Sequence, residues 1–364
     1  MKLLFLCNTL YQTIAASCIR QMYPDSEAHL ILSDHSVANR TIYERLRRHP
    51  VIFDRIFYVE SKWLYEDLQC GRWERIKKQM RFQQKPPLET DNGAYDMVFY
   101  ANSEPYSQWI VCYLKKHYKN TVFCWYEDGL SAYCFDRRYF RKSLHTGMTD
   151  RVKAWMHIHV PTDVVSRFYV FQPEMMEWQP KVAVTRIAPL DDRLRLQFND
   201  LFDYSHCEDR YEQKYIFFED GFVDWKKNED LALVEQIAAV VGRENIMVKR
   251  HPRNPEDRFS PLGYVTNQDA FVPWEIIASN IDIQNKVLIT MYSQSVVTSE
   301  ILMNKKATSI IMGKLYSDYD KGGHDLFDYM NRNYYSQSPD CYYVVSEPSE
   351  LKAILNKTEE RTID

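Results

Sequence analysis

Two short motifs hold residue types that could divide one group-transfer reaction between them. Tyr126-Glu127-Asp128-Gly129 follows the apolar run Thr121 to Trp125, and Lys249-Arg250-His251-Pro252-Arg253 follows the run Ile246 to Val248. Each places its polar residues just past the end of an expected strand, where open α/β sheets bind ligands. The first motif supplies carboxylates, which can take the proton of a hydroxyl as general base. The second sets His251 among Lys249, Arg250 and Arg253, a group suited to an anionic phosphate as it departs. A nearby phosphate would favour the imidazolium form. The plainer use of the same residues is a solvated basic turn.

The acidic tripeptide recurs as Glu219-Asp220-Gly221, again after a strand-like run. Glycine lets the backbone turn sharply and approach a ligand, at Gly221 as at Gly129. Asp128 ranks first as the base, with Glu127 beside it and Asp220 as the rival, and turn or cap aspartates are the common alternative. Ser293 and Ser295 precede an expected helix, where hydroxyls and free N–H groups either bind an anion or simply cap. Glu275 could accept from ribose hydroxyls or serve as a first-turn glutamate. The run Asn8-Thr9-Leu10-Tyr11-Gln12 lacks the glycines of a dinucleotide fingerprint, so NAD is not expected. Asn8, Thr9, Tyr11 and Gln12 could instead contact an acceptor sugar. Asp318-Tyr319-Asp320 has a D-x-D form that can bind metal but reads as a polar loop beside Gly322-Gly323, and the pair His157 and His159 has no third ligand nearby, so no metal and no cofactor is expected. His49-Pro50 reads as a surface helix stop.

The elements that must position these residues alternate. Expected strands at Lys2 to Cys7, His29 to Leu32, Ile52 to Val59, Asp96 to Tyr100 and Thr121 to Tyr126 are separated by helical stretches. The latter include Tyr11 to Met22, Thr41 to Arg47, Lys62 to Arg81 and Pro105 to Tyr118. Gln179 to Asp192 shows two prolines and no clear period. The rhythm then resumes: strands at Tyr215 to Phe218, Ile246 to Val248, Val287 to Met291, Thr308 to Met312 and Cys341 to Val345; helices at Glu229 to Val241, Pro273 to Ser279, Ser295 to Met303 and Ser349 to Leu355. Short apolar runs between amphipathic helices imply parallel sheets in an α/β fold. A length of 364 residues with 45% hydrophobic composition allows two cores. The expected domains are 1–190 and 191–364. A net charge of −4 gives no sign of a nucleic-acid partner. Aromatic residues are abundant, with 26 Tyr, for core packing or for stacking on sugar rings. The 8 cysteines form no C-x-x-C pair, which suits a reducing cytoplasm and speaks against structural zinc. No window approaches about 18 apolar residues, so no membrane span is expected. A lipid-linked substrate would be reached by peripheral contact with the inner face of the membrane, and a homodimer is possible.

In the order Cys7 to Gln12, Tyr126 to Gly129, Lys249 to Arg253, Phe271 to Glu275 and Tyr292-Ser293, the chain resembles the bacterial sialyltransferases. In particular it resembles glycosyltransferase family 52, which includes lipooligosaccharide sialyltransferases. The resemblance implies a GT-B fold, two Rossmann-like domains facing a central cleft, acceptor on the first and nucleotide sugar on the second. It implies inverting, metal-independent transfer of sialic acid from CMP-sialic acid to a galactose-type hydroxyl of a bacterial surface glycan such as lipooligosaccharide, capsule or exopolysaccharide. His251 and Ser293 would hold the CMP phosphate and Glu275 would lie near the ribose. The base would come from the motif matching Glu127-Asp128 or from the loop holding Glu219, Asp220 and Asp224. Family 52 also contains glucosyltransferases, so a UDP-glucose donor stays open, as does a non-catalytic glycan-binding scaffold. Some relatives carry a membrane anchor, whereas this sequence starts at its first strand.

Overall fold

The computed structural model describes residues 1–36, 38–48, 52–86, 94–134, 156, 158–204, 210–221, 229–254, 256–268, 272–315, 328–335 and 338–360. Outside these lie His49-Pro50, His157, Cys207, Asp224, Phe271 and Asp318 to Asp320. The chain divides into two compact units, Met1–Leu190 and Asp191–Asp364.

The first unit is built on seven strands: β1 (Lys2–Cys7), β2 (Glu27–Ser33), β3 (Arg55–Val59), β4 (Met97–Tyr100), β5 (Val122–Tyr126), β6 (Arg167–Val170) and β7 (Ala183–Arg186). They pair in parallel in the order β3-β2-β1-β4-β5-β6-β7. Leu3, Leu4, Phe5 and Leu6 are all buried. A strand covered on both faces by crossover helices reads as an unbroken apolar run, as this one does. Phe5 stacks on Phe99 of β4 at 4.6 Å. Helices Leu10–Gln21 and Pro105–His117 follow β1 and β4. The strand order reverses between these two strands, so their carboxyl ends form the topological switch point.

Two expectations change here. Lys62 to Arg81 is two helices, Lys62–Leu68 and Arg72–Gln79. Gly71 separates them as an N-cap with ψ near 155°, an extended backbone that ends helical geometry. The stretch from Gln179 contains edge strand β7, whose side chains are largely exposed, so no apolar alternation marks it.

The second unit has β8 (Tyr215–Phe218), β9 (Ile246–Lys249), β10 (Val265–Thr266), β11 (Val287–Thr290), β12 (Thr308–Ile311) and β13 (Tyr342–Val344). Their order is β10-β9-β8-β11-β12-β13, again all parallel, with the switch point between β8 and β11. Helix Glu229–Val241 packs Leu233, Val234 and Ile237 into a core shared with Phe217, Val248 and Ile289. Lys249 is the last residue of β9 and is 6% exposed, so it belongs to the sheet rather than to the turn beyond it. Among the described residues all seven cysteines are free, and no helix is long and apolar enough to cross a membrane.

Candidate active site

In the first unit the carboxylates of Glu127-Asp128 have opposite surroundings. Glu127 is completely buried. Its Oε1 accepts from the Tyr11 hydroxyl at 2.5 Å, and its Oε2 accepts from the Tyr133 hydroxyl at 2.5 Å and the Phe171 N–H at 2.8 Å. Burial pushes its carboxyl up to about 7 against those three donors. Both oxygens are engaged, so Glu127 is an anchor that ties β5 to the helix after β1 and to the end of β6. Gly129 follows with φ of +73°, a left-handed conformation that glycine adopts without strain. The turn leaves Asp128 partly exposed. Burial pushes Asp128 up to about 6, the Gln12 side chain opposes it, and the charges of Glu104 and His35 act in opposite senses. Asp128 is therefore the member of the pair that can exchange a proton.

The charges acting on Asp128 belong to a pair that no sequence motif announces. His35, just after β2, sets Nδ1 3.4 Å from Oε1 of Glu104, just after β4. Burial raises Glu104 to about 7, the Tyr65 hydroxyl opposes this, and Asp34 adds to it. These residues lie 69 positions apart, and only the pairing of β1 with both β2 and β4 brings them together. Asp34 is already used: its Oδ1 accepts from Ser61 N–H at 2.8 Å and Lys62 N–H at 3.1 Å, at the start of helix Lys62–Leu68.

The residues after β1 serve the frame. Thr9 caps helix Leu10–Gln21, its hydroxyl accepting from Gln12 N–H at 3.2 Å. Gln12 reaches back, and its Oε1 accepts from Asn8 N–H at 2.6 Å. This is the logic of a capping box shifted by one residue. Asn8 Nδ2 donates to Asn102 Oδ1 at 3.1 Å, joining the two switch-point loops. Asn8, Tyr11 and Gln12 are 3%, 8% and 0% exposed, so the expected acceptor contacts are here buried polar framework.

In the second unit the tripeptide divides in the same way. Glu219 is 2% exposed. Its Oε2 accepts from His251 N–H at 2.9 Å and its Oε1 from Arg258 Nη2 at 2.8 Å. Arg258 also pairs with Asp230 of helix Glu229–Val241. Asp220 is partly exposed, and burial raises it to about 7. Its Oδ2 accepts from Tyr292 N–H at 3.2 Å, and Asn254 Nδ2 donates to its carbonyl at 3.1 Å. Asp220 thus holds together the loops that follow β8, β9 and β11.

The ring of His251 lies on Gly221, where an added Cβ would stand 2.4 Å from Cε1. Its Nδ1 accepts from Arg253 N–H at 3.1 Å. That bond assigns the neutral ring's proton to Nε2, which is left as a donor. Burial lowers the imidazole to about 4, with Arg253 and Lys249 adding to the shift. Without a phosphate beside it, the ring is thus a neutral Nε2–H donor. Ser293 and Ser295 are joined, Ser293 Oγ donating to Ser295 Oγ at 2.9 Å and accepting from Ser295 N–H at 3.2 Å. They precede and open helix Ser295–Met303, beside the switch point. Glu275 is 8% exposed. Burial raises its carboxyl, while its own N–H, the Thr298 side chain and the Lys249 charge pull it down. Lys249 and Glu275 are interior partners in charge, set back from the exposed Arg253.

No family model matches the chain, and no curated protein matches its sequence. Solved structures do resemble it. The glycosyltransferase of kitacinnamycin aligns at a TM-score of 0.55 and 10% identity, over 98% of this chain and 90% of that one. CalG4, the calicheamicin glycosyltransferase, aligns at 0.53 and 7% identity, over 98% and 89%. Arabidopsis thaliana UGT89C1 in complex with UDP aligns at 0.53 and 10% identity, over 98% and 90%. The fold is that of the GT-B glycosyltransferases. These likenesses stop at the fold and do not extend to family 52.

Proposed function

We propose that the protein is an inverting, metal-independent glycosyltransferase that moves sialic acid from CMP-sialic acid to a hydroxyl of a glycan. The observation that carries this reading is His251. A neutral imidazole seated on Gly221, with Nε2–H free to donate, suits the oxygen of a departing phosphate. Arg253 beside it supplies charge, and the Ser293–Ser295 turn supplies hydroxyls. CMP leaves with one phosphate, whose charge such groups offset without a metal. Asp128 takes the acceptor proton as the acceptor oxygen bonds to the anomeric carbon. The bond from that carbon to the phosphate oxygen breaks, and CMP keeps the electron pair. Displacement from the opposite face inverts the centre. Asp220, one of whose oxygens accepts from the Tyr292 N–H, is the rival base. The order of the motifs along the chain supports the sialyl donor. A hexose on UDP is the second reading, favoured by the GT-B neighbour that holds UDP.

The deciding experiment is CMP release from CMP-sialic acid by purified protein in EDTA, with a galactose-terminated acceptor. Release that needs acceptor and collapses in His251→Ala supports the reading. No release, with a thermal shift for UDP and none for CMP, replaces it with the hexosyl reading.

A further inference from the structure

A concavity lies entirely in the first unit, beside edge strand β3. It encloses about 580 Å³, and its walls include Arg40, Tyr43, Glu44, Tyr58, Glu60 and Trp63. A volume of this size falls in the ~300–1,000 Å³ range of small-molecule sites. None of these residues belongs to the motifs of the proposed transfer chemistry.

The aromatic walls are braced by two guanidinium groups. Arg40 lies 4.9 Å from the centre of the Tyr58 ring and 5.9 Å from that of Tyr43, and the two rings are 5.5 Å apart. Arg81 lies 5.1 Å from the Trp63 ring and 5.4 Å from the Trp109 ring, and is itself held by Asp67. Trp63 Nε1–H donates to the Glu60 carbonyl at 2.9 Å. The indole is thus fixed by two contacts although it is 43% exposed. An exposed tryptophan held in place is a preorganised platform, which spares the ordering cost of binding.

The charges on the walls balance, with Arg40 and Arg47 against Glu44 and Glu60. Arg40 and Glu44 are 3.4 Å apart. A polyanion would meet as many repulsive as attractive groups. A neutral polyhydroxylated ring suits the site, with its apolar face on Trp63 or Tyr58 and its hydroxyls on the paired carboxylates and guanidinium groups. The pocket and the group around Glu104 share elements. Helix Lys62–Leu68 gives Trp63 to the pocket and Tyr65 to Glu104. Helix Pro105–His117, which begins next to Glu104, gives Tyr106 and Trp109.

We infer that this pocket is a secondary saccharide site that holds neutral sugar residues of a glycan chain. Its use as an extension of the acceptor site rests on the transferase reading. The binding itself does not.

The test is titration of the full chain with lactose, maltotetraose, cellotetraose and a sulfated tetrasaccharide. No donor is added, and binding is followed by calorimetry and tryptophan fluorescence. Saturable binding of at least one neutral saccharide is expected, weakened at least tenfold in both Trp63→Ala and Tyr58→Leu and unchanged in His251→Ala. Circular dichroism melts of the two variants would show whether each is folded. Binding of the sulfated probe alone, binding that both folded variants retain, or no saturation by any neutral probe overturns the inference. Intact saccharide binding without turnover of either nucleotide sugar overturns the transferase reading and leaves this site standing.

Discussion

The imidazole of His251 rests on the α-carbon of Gly221, so close that a methyl group there would stand 2.4 Å from Cε1. The glycine therefore sets the position of the histidine. Gly221→Ala should move the ring while leaving the sheet intact. We expect kcat/KM for the donor to fall by roughly 10²–10³, the scale of losing one oriented donor, with little change in the melting temperature. The double variant with His251→Ala should lose no more than either single one, because both act on the same ring. Steady-state kinetics and circular dichroism melts check both statements.

The pH dependence should report Asp128. A base must be ionised, and burial holds this carboxyl near 6. Activity should rise with pH through about 6 and then level. His251, lowered to about 4, is neutral across that range and adds no limb. The Glu104 charge is one cause of the raised value at Asp128. Glu104→Gln should therefore move the acid limb to lower pH, and Asp128→Asn should abolish turnover. An unmoved limb in Glu104→Gln would separate that residue from the base.

Glu127 should matter to stability more than to proton transfer. Glu127→Ala strands two tyrosine hydroxyls and a backbone N–H, at a cost of about 3 kcal/mol. Its carboxyl is raised from 4.5 to about 7, so between those values the folded state binds more protons than the unfolded one. The stability it contributes is fully present below about 4.5 and is lost as pH rises through 7. Melting temperatures measured from pH 5 to 8 should fall, and Glu127→Gln, which cannot ionise, should reduce the slope.

Arg258 joins the interior to the histidine. Its guanidinium holds Glu219 and Asp230 at side-chain exposures of 12%, 0% and 12%, and Glu219 accepts from the His251 N–H. Arg258→Met leaves two buried carboxylates facing each other, with an expected loss of about 3–5 kcal/mol. Donor KM should rise as well, because the other oxygen of Glu219 positions the His251 backbone. Denaturant melts and donor titrations test the two effects separately.

The parallel strands were legible because doubly covered strands are unbroken apolar runs, as in Leu3 to Leu6. β7 and β10 were not, since β7 is an exposed edge strand and β10 is only 2 residues long, so neither carries such a run. The two Glu-Asp-Gly tripeptides were legible as site candidates. Their division into an interior glutamate and a rim aspartate was not, because it depends on what covers each side chain. Thr9 and Gln12 fit a cap as well as an acceptor contact, and local hydrogen bonding within the helix start took them. His35 and Glu104 carry no local signature. Their proximity is a product of strand order, which sequence spacing does not express.

That strand order also sets a sequence of events during synthesis. In the first unit β1 lies between β2 and β4, and its partner Met97 is made long after Leu3. In the second unit β8 pairs with β11, which follows both β9 and β10 in the chain. The Asn8–Asn102 and Asp220–Tyr292 bonds span these same late pairings. Until its fourth strand has left the ribosome, each sheet has an open edge through its middle and no switch point. A nascent chain halted before residue 97 therefore carries β1 to β3 with the apolar edge of β1 exposed. It lacks Glu104, Asp128 and every partner of Glu127 beyond Tyr11.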